Sequence, residues 1–475
     1  DADTDADTDT DTDTDTDADT DADTDADTDT DLTGDTGRLL PTADTDTDSD
    51  IEADCVLADD NALRAWCDIT VWPPQPVAVR FQKSAGGPVR VHTSDEVATE
   101  HRVGLYMMES LTAYDWSLEA TDGTPLGPSG SFTTNTIPTE ARNDYIVSGV
   151  SDADYILHQS PCVNTGFVVA ADTDGTQLWY QELNDSTFAR IDGVNWTPTN
   201  TVLAMAGDDV VEVDWMGQEL FRATRGLHFT ERLHHDLGRD GDYTYALFNE
   251  SVTHQSESYT LDGFHVLDRD ANLVATWRLF DHFQPPGPDA TSGSDYSHGN
   301  ALWVQDGKAV LSFRHMSTVI QIDADPDSTA FGEVLWQLEG DPTDAHWGSD
   351  YTLFTSLPGV TATMEKQHNA HLGAGGTLRV FDNRKGLIDP SRWLEMVLDD
   401  TAGTAEIVDA YTLPVHCDFQ GGAWTTTGDQ PLATCAPFRT AYEFERGAVA
   451  AHYTVQAACP SGINLYLPRI IPVTP

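Results

Sequence analysis

The chain has 475 residues, with 24 Lys+Arg against 80 Asp+Glu, so its formal net charge is −56. No stretch carries the basic charge with which a nucleic-acid binder replaces counterions, so we expect no nucleic-acid partner. No run of about 18 apolar residues is present, so we expect no membrane span.

The negative charge is concentrated at the start of the chain. Residues 1–50 contain 21 Asp and one Arg. The remainder is moderately acidic, has a normal supply of Trp, Tyr and Phe, and is long enough for more than one hydrophobic core. Because the sequence begins with Asp and shows no basic-then-apolar leader, we expect a processed, exported protein located outside the cell or on its surface.

Residues 1–31 alternate Asp with Thr or Ala in a strict period of two. In a β-strand this places every carboxylate on one face, about 6.6 Å apart, and the small residues on the other. The carboxylates repel one another, and nothing apolar offsets the loss of backbone entropy. A row of oxygen ligands is what Ca²⁺ prefers, so we predict that calcium orders this strand.

Residues 32–43 have the composition of a loop, after which the alternation briefly resumes. Residues 44–55 half-resemble an EF-hand loop, but Ser49 stands where the turn glycine belongs and Cys55 where the bidentate glutamate belongs. The predicted calcium ligands are Asp1, Asp3, Asp5, Asp7, Asp9, Asp11, Asp13, Asp15, Asp17, Asp19, Asp21, Asp23, Asp25, Asp27, Asp29, Asp31, Asp44, Asp46, Asp48 and Asp50.

Two functions are open for residues 1–50. Because each dipeptide resembles the next, pairing register is degenerate, and the natural partner of such a strand is the same strand of another copy. We therefore hypothesise a calcium-dependent assembly strand that joins copies of the protein into an extracellular fibre. The alternative is a disordered acidic spacer.

Cysteine usage agrees with export. The six cysteines match no CxxC or zinc-ribbon spacing, and an even number in an exported chain predicts disulfides. Two pairs are close in sequence, and the remaining two cysteines close a long loop. The expected pairs are Cys55 with Cys67, Cys417 with Cys435, and Cys162 with Cys459.

Residues 51–137 alternate apolar and polar residues in short runs separated by Pro and Gly. The runs at 69–72, 77–81, 89–91, 101–106 and 114–120 predict the strands of a small antiparallel sandwich. This region resembles a fibronectin type III module, and residues 133–138 have the composition of a linker.

Residues 138–475 repeat a strand, an Asp/Gly turn and a second strand that ends in an aromatic residue. The pattern occurs at 172–179, 214–221, 268–277 and 331–336. Recurrence at this spacing is typical of a β-propeller, so we predict an all-β chain in which about six units follow the sandwich. The Asp-x-Asp-Gly sequence at 172–175 could bind calcium, although Asp and Gly also form ordinary hairpin turns.

Histidines open several of these units. In a propeller, such openings converge on the central channel, so residues distant in sequence meet there. Several imidazoles with one guanidinium suit an anionic ester, because Arg binds its oxygens while His attacks or carries a proton. The candidates are His234, His235, His298, Arg314, His315 and His368.

These residues lie in motifs that resemble the bacterial arylsulfotransferase family. The motifs are His-His-Asp at 234–236, Asp-Tyr-Ser-His-Gly-Asn-Ala at 295–301, Ser-Phe-Arg-His-Met at 312–316 and Gln-His-Asn-Ala-His-Leu at 367–372. Their order and spacing match the family over residues from about 145 to 470, and the sandwich resembles the family's N-terminal domain. The acidic repeat has no counterpart in it.

The resemblance implies a six-bladed propeller that moves a sulfuryl group from a phenolic sulfate to another phenol, with no cofactor for this chemistry. It implies that His368 is the nucleophile that forms a sulfo-histidine. His298, Arg314 and one of His234 or His235 would bind and stabilise the transferring group. Two functions therefore stand: a fibre subunit that displays the propeller, or an exported aryl-sulfate sulfotransferase with a disordered acidic spacer.

Overall fold

The computed structural model describes residues 51–475 apart from 164, 185, 187–189, 286–294, 342–346 and 385–388. The predicted calcium ligands at positions 1–50 lie outside the described residues, and that prediction stays open. The described elements are strands together with three single-turn 3-10 helices, Leu279–Asp281, Ala374–Gly376 and Ala436–Phe438. This confirms the all-β prediction. In the part of the chain that the structure describes, no helix has the length and apolar character needed to cross a membrane.

The first sheet is antiparallel and contains five strands: β1 (Ile51–Leu57), β2 (Ala65–Lys83), β3 (Arg90–Leu105), β4 (Ala113–Ala120) and β5 (Pro125–Thr133). The prolines at 73 and 74 predicted a turn between two short strands, but β2 continues through them. Its pairing with β3 shifts register on both sides of Gln75, which lets the strand bend without ending. Cys55 and Cys67 face each other across β1 and β2 and form a disulfide.

The remaining strands form the propeller part of the chain. They are β6 (Asp144–Ser148), β7 (Tyr155–Gln159), β8 (Gly166–Asp172), β9 (Gln177–Asn184), β10 (Ile191–Trp196), β11 (Val202–Ala206), β12 (Asp209–Val213), β13 (Glu219–Thr224), β14 (Arg232–Asp240), β15 (Tyr243–His254), β16 (Glu257–Leu267), β17 (Leu273–Arg278), β18 (Gly299–Gln305), β19 (Lys308–Phe313), β20 (Thr318–Asp323), β21 (Val334–Glu339), β22 (Thr352–Thr355), β23 (His368–Leu372), β24 (Leu378–Asp382), β25 (Arg392–Asp399), β26 (Thr404–Thr412), β27 (Gly422–Thr425), β28 (Pro431–Cys435), β29 (Thr440–Phe444), β30 (Ala451–Ala458) and β31 (Ile471–Val473).

Within the described residues these strands form six sheets of four or five strands. β10–β13, β14–β17 and β18–β21 are antiparallel meanders in chain order, as predicted for a propeller. The next sheet, ordered β22-β26-β25-β24-β23, adds the parallel pair β22 and β26 at its outer edge. Each sheet has one edge strand that packs against the neighbouring sheets. We call these the inner strands, and they are β10, β14, β18, β23, β27 and β31.

The Asp/Gly turns are hairpin turns held by their own side chains. Oδ1 of Asp172 accepts hydrogen bonds from the backbone N–H groups of Asp174 and Thr176, at 3.1 and 2.8 Å. Gly175 adopts φ 87°, a left-handed conformation in which glycine is favoured. The carboxylate of Asp172 therefore stabilises the turn.

Both ends of the propeller part close the ring of sheets. β6 pairs with β30 in the last sheet, and β31 pairs with β7 in the first. The Cys162–Cys459 disulfide links the same two regions, and the Cys417–Cys435 disulfide holds the loop before β27. All three predicted disulfides are therefore confirmed, and the described residues contain no free cysteine.

Buried polar side chains join each sheet to the next. Each hydrogen bond links a side chain to a backbone group of the following sheet over 2.7 to 3.1 Å. The pairs are Gln159 with Ile191, Asn195 with Leu237, Asp236 with Leu302, Asn300 with Gln367, Asn369 with Ala423 and Thr434 with Ile470. Because every one of these side chains is buried, each bond is shielded from water.

Replacing Cys162 and Cys459 by Ser should lower the free energy of unfolding by about 4–5 kcal/mol, because their disulfide closes a segment 297 residues long. The matched control replaces Cys55 and Cys67, which are only 12 residues apart, and should cost about 3 kcal/mol or less. Urea unfolding of the three proteins measures the difference. Equal losses in the two variants would show that loop length does not set the stabilisation.

Candidate active site

The predicted histidine motifs lie at one end of the inner strands. His234 and His235 lie near the start of β14, His298 directly precedes β18, and His368 is the first residue of β23. Arg314 follows β19, and its backbone N–H donates to the carbonyl of His298 at 3.0 Å. The fold thus brings together residues that are more than one hundred positions apart in sequence.

Two of these histidines have unusual backbone conformations. His235 has φ 59° and His298 has φ 51°, both in the left-handed region that residues with a Cβ rarely adopt. Such conformations persist only where the surrounding structure holds them, and they are concentrated at functional sites.

The imidazole rings form a continuous group. The ring centroids of His234 and His235 are 5.0 Å apart, those of His235 and His298 are 5.3 Å apart, and those of His298 and His315 are 4.7 Å apart. His315, which the sequence placed beside Arg314, therefore belongs to the same cluster.

A buried carboxylate anchors one side of the cluster. Asp262 is 2 % exposed and accepts hydrogen bonds from the backbone N–H of Gly299 at 2.6 Å and from the hydroxyl of Ser297. Its other oxygen lies 3.1 Å from Nε2 of His234, and Nδ1 of His234 lies 2.7 Å from Nδ1 of His235. The two imidazoles thus share one hydrogen bond, and the Asp262 carboxylate lies beside the far nitrogen of His234, where it can stabilise a proton on that ring.

A second carboxylate orients His298. Oδ2 of Asp295 lies 2.5 Å from Nδ1 of His298, and the carbonyl oxygen of Asp295 lies 2.7 Å from Nδ1 of His315. When Nδ1 of His298 is held in this way, Nε2 is the nitrogen available for proton transfer. One ligand atom from each of these residues lies within 4.8 Å of the others, so among the described residues this trio could hold a metal ion.

Arg314 supplies a permanent positive charge beside the cluster. Its Nη2 donates to the carbonyl of Asp418 at 3.2 Å. Burial lowers the pKa of the Arg314 guanidinium from its ordinary value, against the opposing effect of Asp295 and Asp418. A guanidinium remains protonated under these conditions, so it is suited to bind the oxygens of an anion.

The surroundings of His368 fix its tautomer. Both hydrogens of the Asn383 amide are engaged, because Nδ2 donates to the carbonyls of Cys417 and Gln420 at 2.7 and 2.8 Å. Oδ1 of Asn383 is therefore the atom that faces Nδ1 of His368, at 2.7 Å, and it accepts a hydrogen bond from the N–H group of that nitrogen. Nε2 of His368 then carries a lone pair, and it accepts the backbone N–H of Gln420 at 3.2 Å.

Burial keeps these imidazoles neutral. His368 is 2 % exposed, and desolvation lowers its pKa well below the ordinary value, with smaller contributions from Arg314 and His298. Desolvation also lowers the pKa of His235 well below its ordinary value, helped by His234, His298 and His368. A neutral imidazole with an unprotonated nitrogen is a nucleophile or a base at neutral pH.

A cavity of about 370 Å³ opens onto the cluster. His368 lies behind Gln420, which lines this cavity and covers the lone pair on Nε2. The lining residues are Arg190, Asp192, Arg232, Leu233, His234, His235, Asn249, Thr260, Asp262, Asp295, His298, Gly299, Gln420 and Tyr466.

Sequence patterns assign no role to several residues of this site. Asn383 directly follows β24, and its bond to His368 depends on the pairing of β23 with β24. Asp262 lies within β16 without any local pattern to distinguish it. Gln420 acts through its backbone N–H, which every residue except proline possesses, so no sequence signal could identify it.

The arylsulfotransferase family model matches residues 91–413, which is more than half of the chain. The chain therefore belongs to the arylsulfotransferase family, as its motifs predicted. No curated protein matches its sequence.

Solved structures with related folds share little sequence with it. A protein of unknown function from Bacteroides caccae is similar with a TM-score of 0.42 and 10% identity, covering 68% of this chain and 100% of that one. A streptogramin B lyase is similar with a TM-score of 0.35 and 10% identity, covering 84% and 100%. A virginiamycin B lyase from Staphylococcus aureus is similar with a TM-score of 0.36 and 9% identity, covering 65% and 87%. Similarity at this level carries no conclusion about activity.

Stability should fall as the pH drops from about 6.5 to about 4. Burial lowers the pKa of His158, His265 and His371 to about 4, so across this range the unfolded chain binds more protons than the folded one. Thermal melting at several pH values measures the slope, and His371→Gln should make it shallower. The matched control is His254→Gln at the end of β15. An unchanged slope in His371→Gln would contradict the assignment.

Proposed function

We propose that the histidine cavity transfers a sulfuryl group from a phenolic sulfate ester to a second phenol, with His368 as the nucleophile. The observation that carries the proposal is the tautomer of His368, whose Nδ1 proton is held by Asn383 while Nε2 carries the lone pair. Membership of the arylsulfotransferase family supports the same reaction class.

In the first step, Nε2 of His368 attacks the sulfur of the ester. A nitrogen–sulfur bond forms as the bond between sulfur and the phenolic oxygen breaks, and the phenolate leaves with the electron pair. The backbone N–H of Gln420 must release Nε2 before this attack. His298 in its protonated form, held by Asp295, gives a proton to the departing oxygen.

In the second step, the acceptor phenol occupies the position of the departed one. His298 takes the proton from its hydroxyl, and the phenolic oxygen attacks the sulfur. The nitrogen–sulfur bond breaks, and its electron pair returns to Nε2 of His368. The transfer is thus divided into two easier displacements, which is the general advantage of covalent catalysis.

Arg314 and the neighbouring imidazoles stabilise the sulfuryl group during its transfer. Its three oxygens carry negative charge throughout, and donors that are already oriented stabilise that charge without reorganisation. Arg314 supplies a fixed charge, and the hydrogen-bonded pair His234 and His235, with the Asp262 carboxylate beside it, supplies a proton that can be shared.

Replacing His368 by Ala should lower the rate of phenol release from a chromogenic aryl sulfate by about 1,000-fold or more, because the nucleophile is lost. Mass spectrometry should detect one sulfuryl group on the wild-type protein and none on the variant. His254→Ala is the control and should retain activity. Equal turnover with and without His368 would contradict the proposal.

We propose a second function, calcium-dependent assembly, for residues 1–50. The observation that favours it is the adjoining strand β1, where Glu52 and Asp54 are exposed while Ile51 and Ala53 are half-buried. The acidic period of two therefore continues into a segment that is a strand, and β1 lies at one end of its sheet's pairing order. Three disulfides support an extracellular location for such an assembly.

Adding millimolar Ca²⁺ to the full chain should produce fibres visible by electron microscopy, because the cation neutralises facing carboxylate rows. Excess chelator should dissolve them. A chain beginning at residue 51 is the control and should remain unassembled. Fibres that persist in excess chelator would exclude calcium as the linking ion.

A further inference from the structure

One guanidinium at the cavity has no partner. Arg232 is exposed, lies two residues before His234 in β14 and lines the same cavity. In the part of the chain that the structure describes, its side chain forms no ion pair or hydrogen bond. By contrast, Arg190, which also lines the cavity, pairs with Asp192. Arg232 is therefore a cation that the residues around the cavity leave uncompensated.

Three carboxylates line the cavity, but none of them is paired with Arg232. Asp192 is paired with Arg190. Asp262 accepts hydrogen bonds from Ser297 and Gly299 and contacts His234, and Asp295 holds His298. Among the described residues that line the cavity, Arg232 is therefore the arginine whose charge no carboxylate neutralises and a bound anion can neutralise.

One aromatic side chain lines the cavity. This residue is Tyr466, and Phe419 packs edge-on against it with ring centroids 5.5 Å apart. The guanidinium carbon of Arg190 lies 5.8 Å from the centre of the Tyr466 ring. An aromatic ring in the lining favours an aromatic ligand over an aliphatic one.

We propose that the phenol bound in this cavity carries a carboxylate opposite its hydroxyl group, and that Arg232 binds this carboxylate. This inference rests on the proposed sulfuryl transfer. Residues two apart on a strand are separated by about 6.6 Å, so Arg232 lies about the span of one benzene ring with its para substituents from His234, a member of the imidazole cluster. A ring whose hydroxyl group lies at that cluster therefore extends toward Arg232, which can bind a carboxylate through two parallel hydrogen bonds.

Three phenols with a short para substituent that is negative, neutral or positive test the inference: 4-hydroxyphenylacetate, 4-ethylphenol and tyramine. With one chromogenic aryl sulfate as donor, kcat/KM for 4-hydroxyphenylacetate should exceed that for 4-ethylphenol by about tenfold, and tyramine should be the poorest acceptor. Arg232→Gln should remove this preference, and Arg232→Lys should keep part of it. Arg102→Gln, in the first sheet, is the control and should leave the preference unchanged.

A wild-type protein that uses 4-ethylphenol as well as 4-hydroxyphenylacetate would overturn the inference while leaving sulfuryl transfer intact. So would an unchanged preference in Arg232→Gln. Transfer to none of the acceptors would instead overturn the proposed function. In that case calorimetric titration with 4-hydroxyphenylacetate still tests whether Arg232 binds the carboxylate. The affinity for 4-hydroxyphenylacetate should fall about tenfold in Arg232→Gln and remain unchanged in Arg102→Gln.

Discussion

The hydrogen bonds between the inner strands are the constraint on which the propeller part depends. Neighbouring sheets share no strand pairing, so the packing of apolar side chains alone would leave their relative height and rotation poorly defined. A buried side chain such as Asn195, Asp236 or Asn300 bonds one defined backbone group of the next sheet. A displaced sheet would leave these polar groups unsatisfied in the interior, at a cost of about 1–3 kcal/mol each.

The same bonds position the active-site candidates. Asp236 directly follows His235, Asn369 directly follows His368, and Asn300 lies two residues after His298. Each histidine is therefore attached to a residue whose side chain is locked to the neighbouring sheet. This explains how imidazoles from three sheets lie close together although they are distant in sequence. Ring closure through β6, β31 and a disulfide preserves that arrangement.

Burial removes water from the histidine cluster and thereby sets the protonation state of its imidazoles. Desolvation keeps His368 and His235 neutral, so Nε2 of His368 is unprotonated without a neighbouring base. Two guanidinium groups near the cluster, those of Arg314 and Arg232, form no ion pair among the described residues. In the function proposed for residues 1–50 the charges are reversed, because regularly spaced carboxylates would bind an external cation. The two proposals thus give one chain a site for anions and a segment for cations.

Residue type and spacing were sufficient to predict the strand periodicity, the disulfide pairs, the family and the catalytic candidates. Three findings required the folded structure: β2 continues past two prolines, Asn383 fixes the tautomer of His368, and Gln420 covers its lone pair. It alone also distinguished Arg232 from the paired arginines. These facts concern contacts between residues far apart in sequence, or backbone groups that every residue shares. Sheet packing sets such contacts, and local pattern does not encode them.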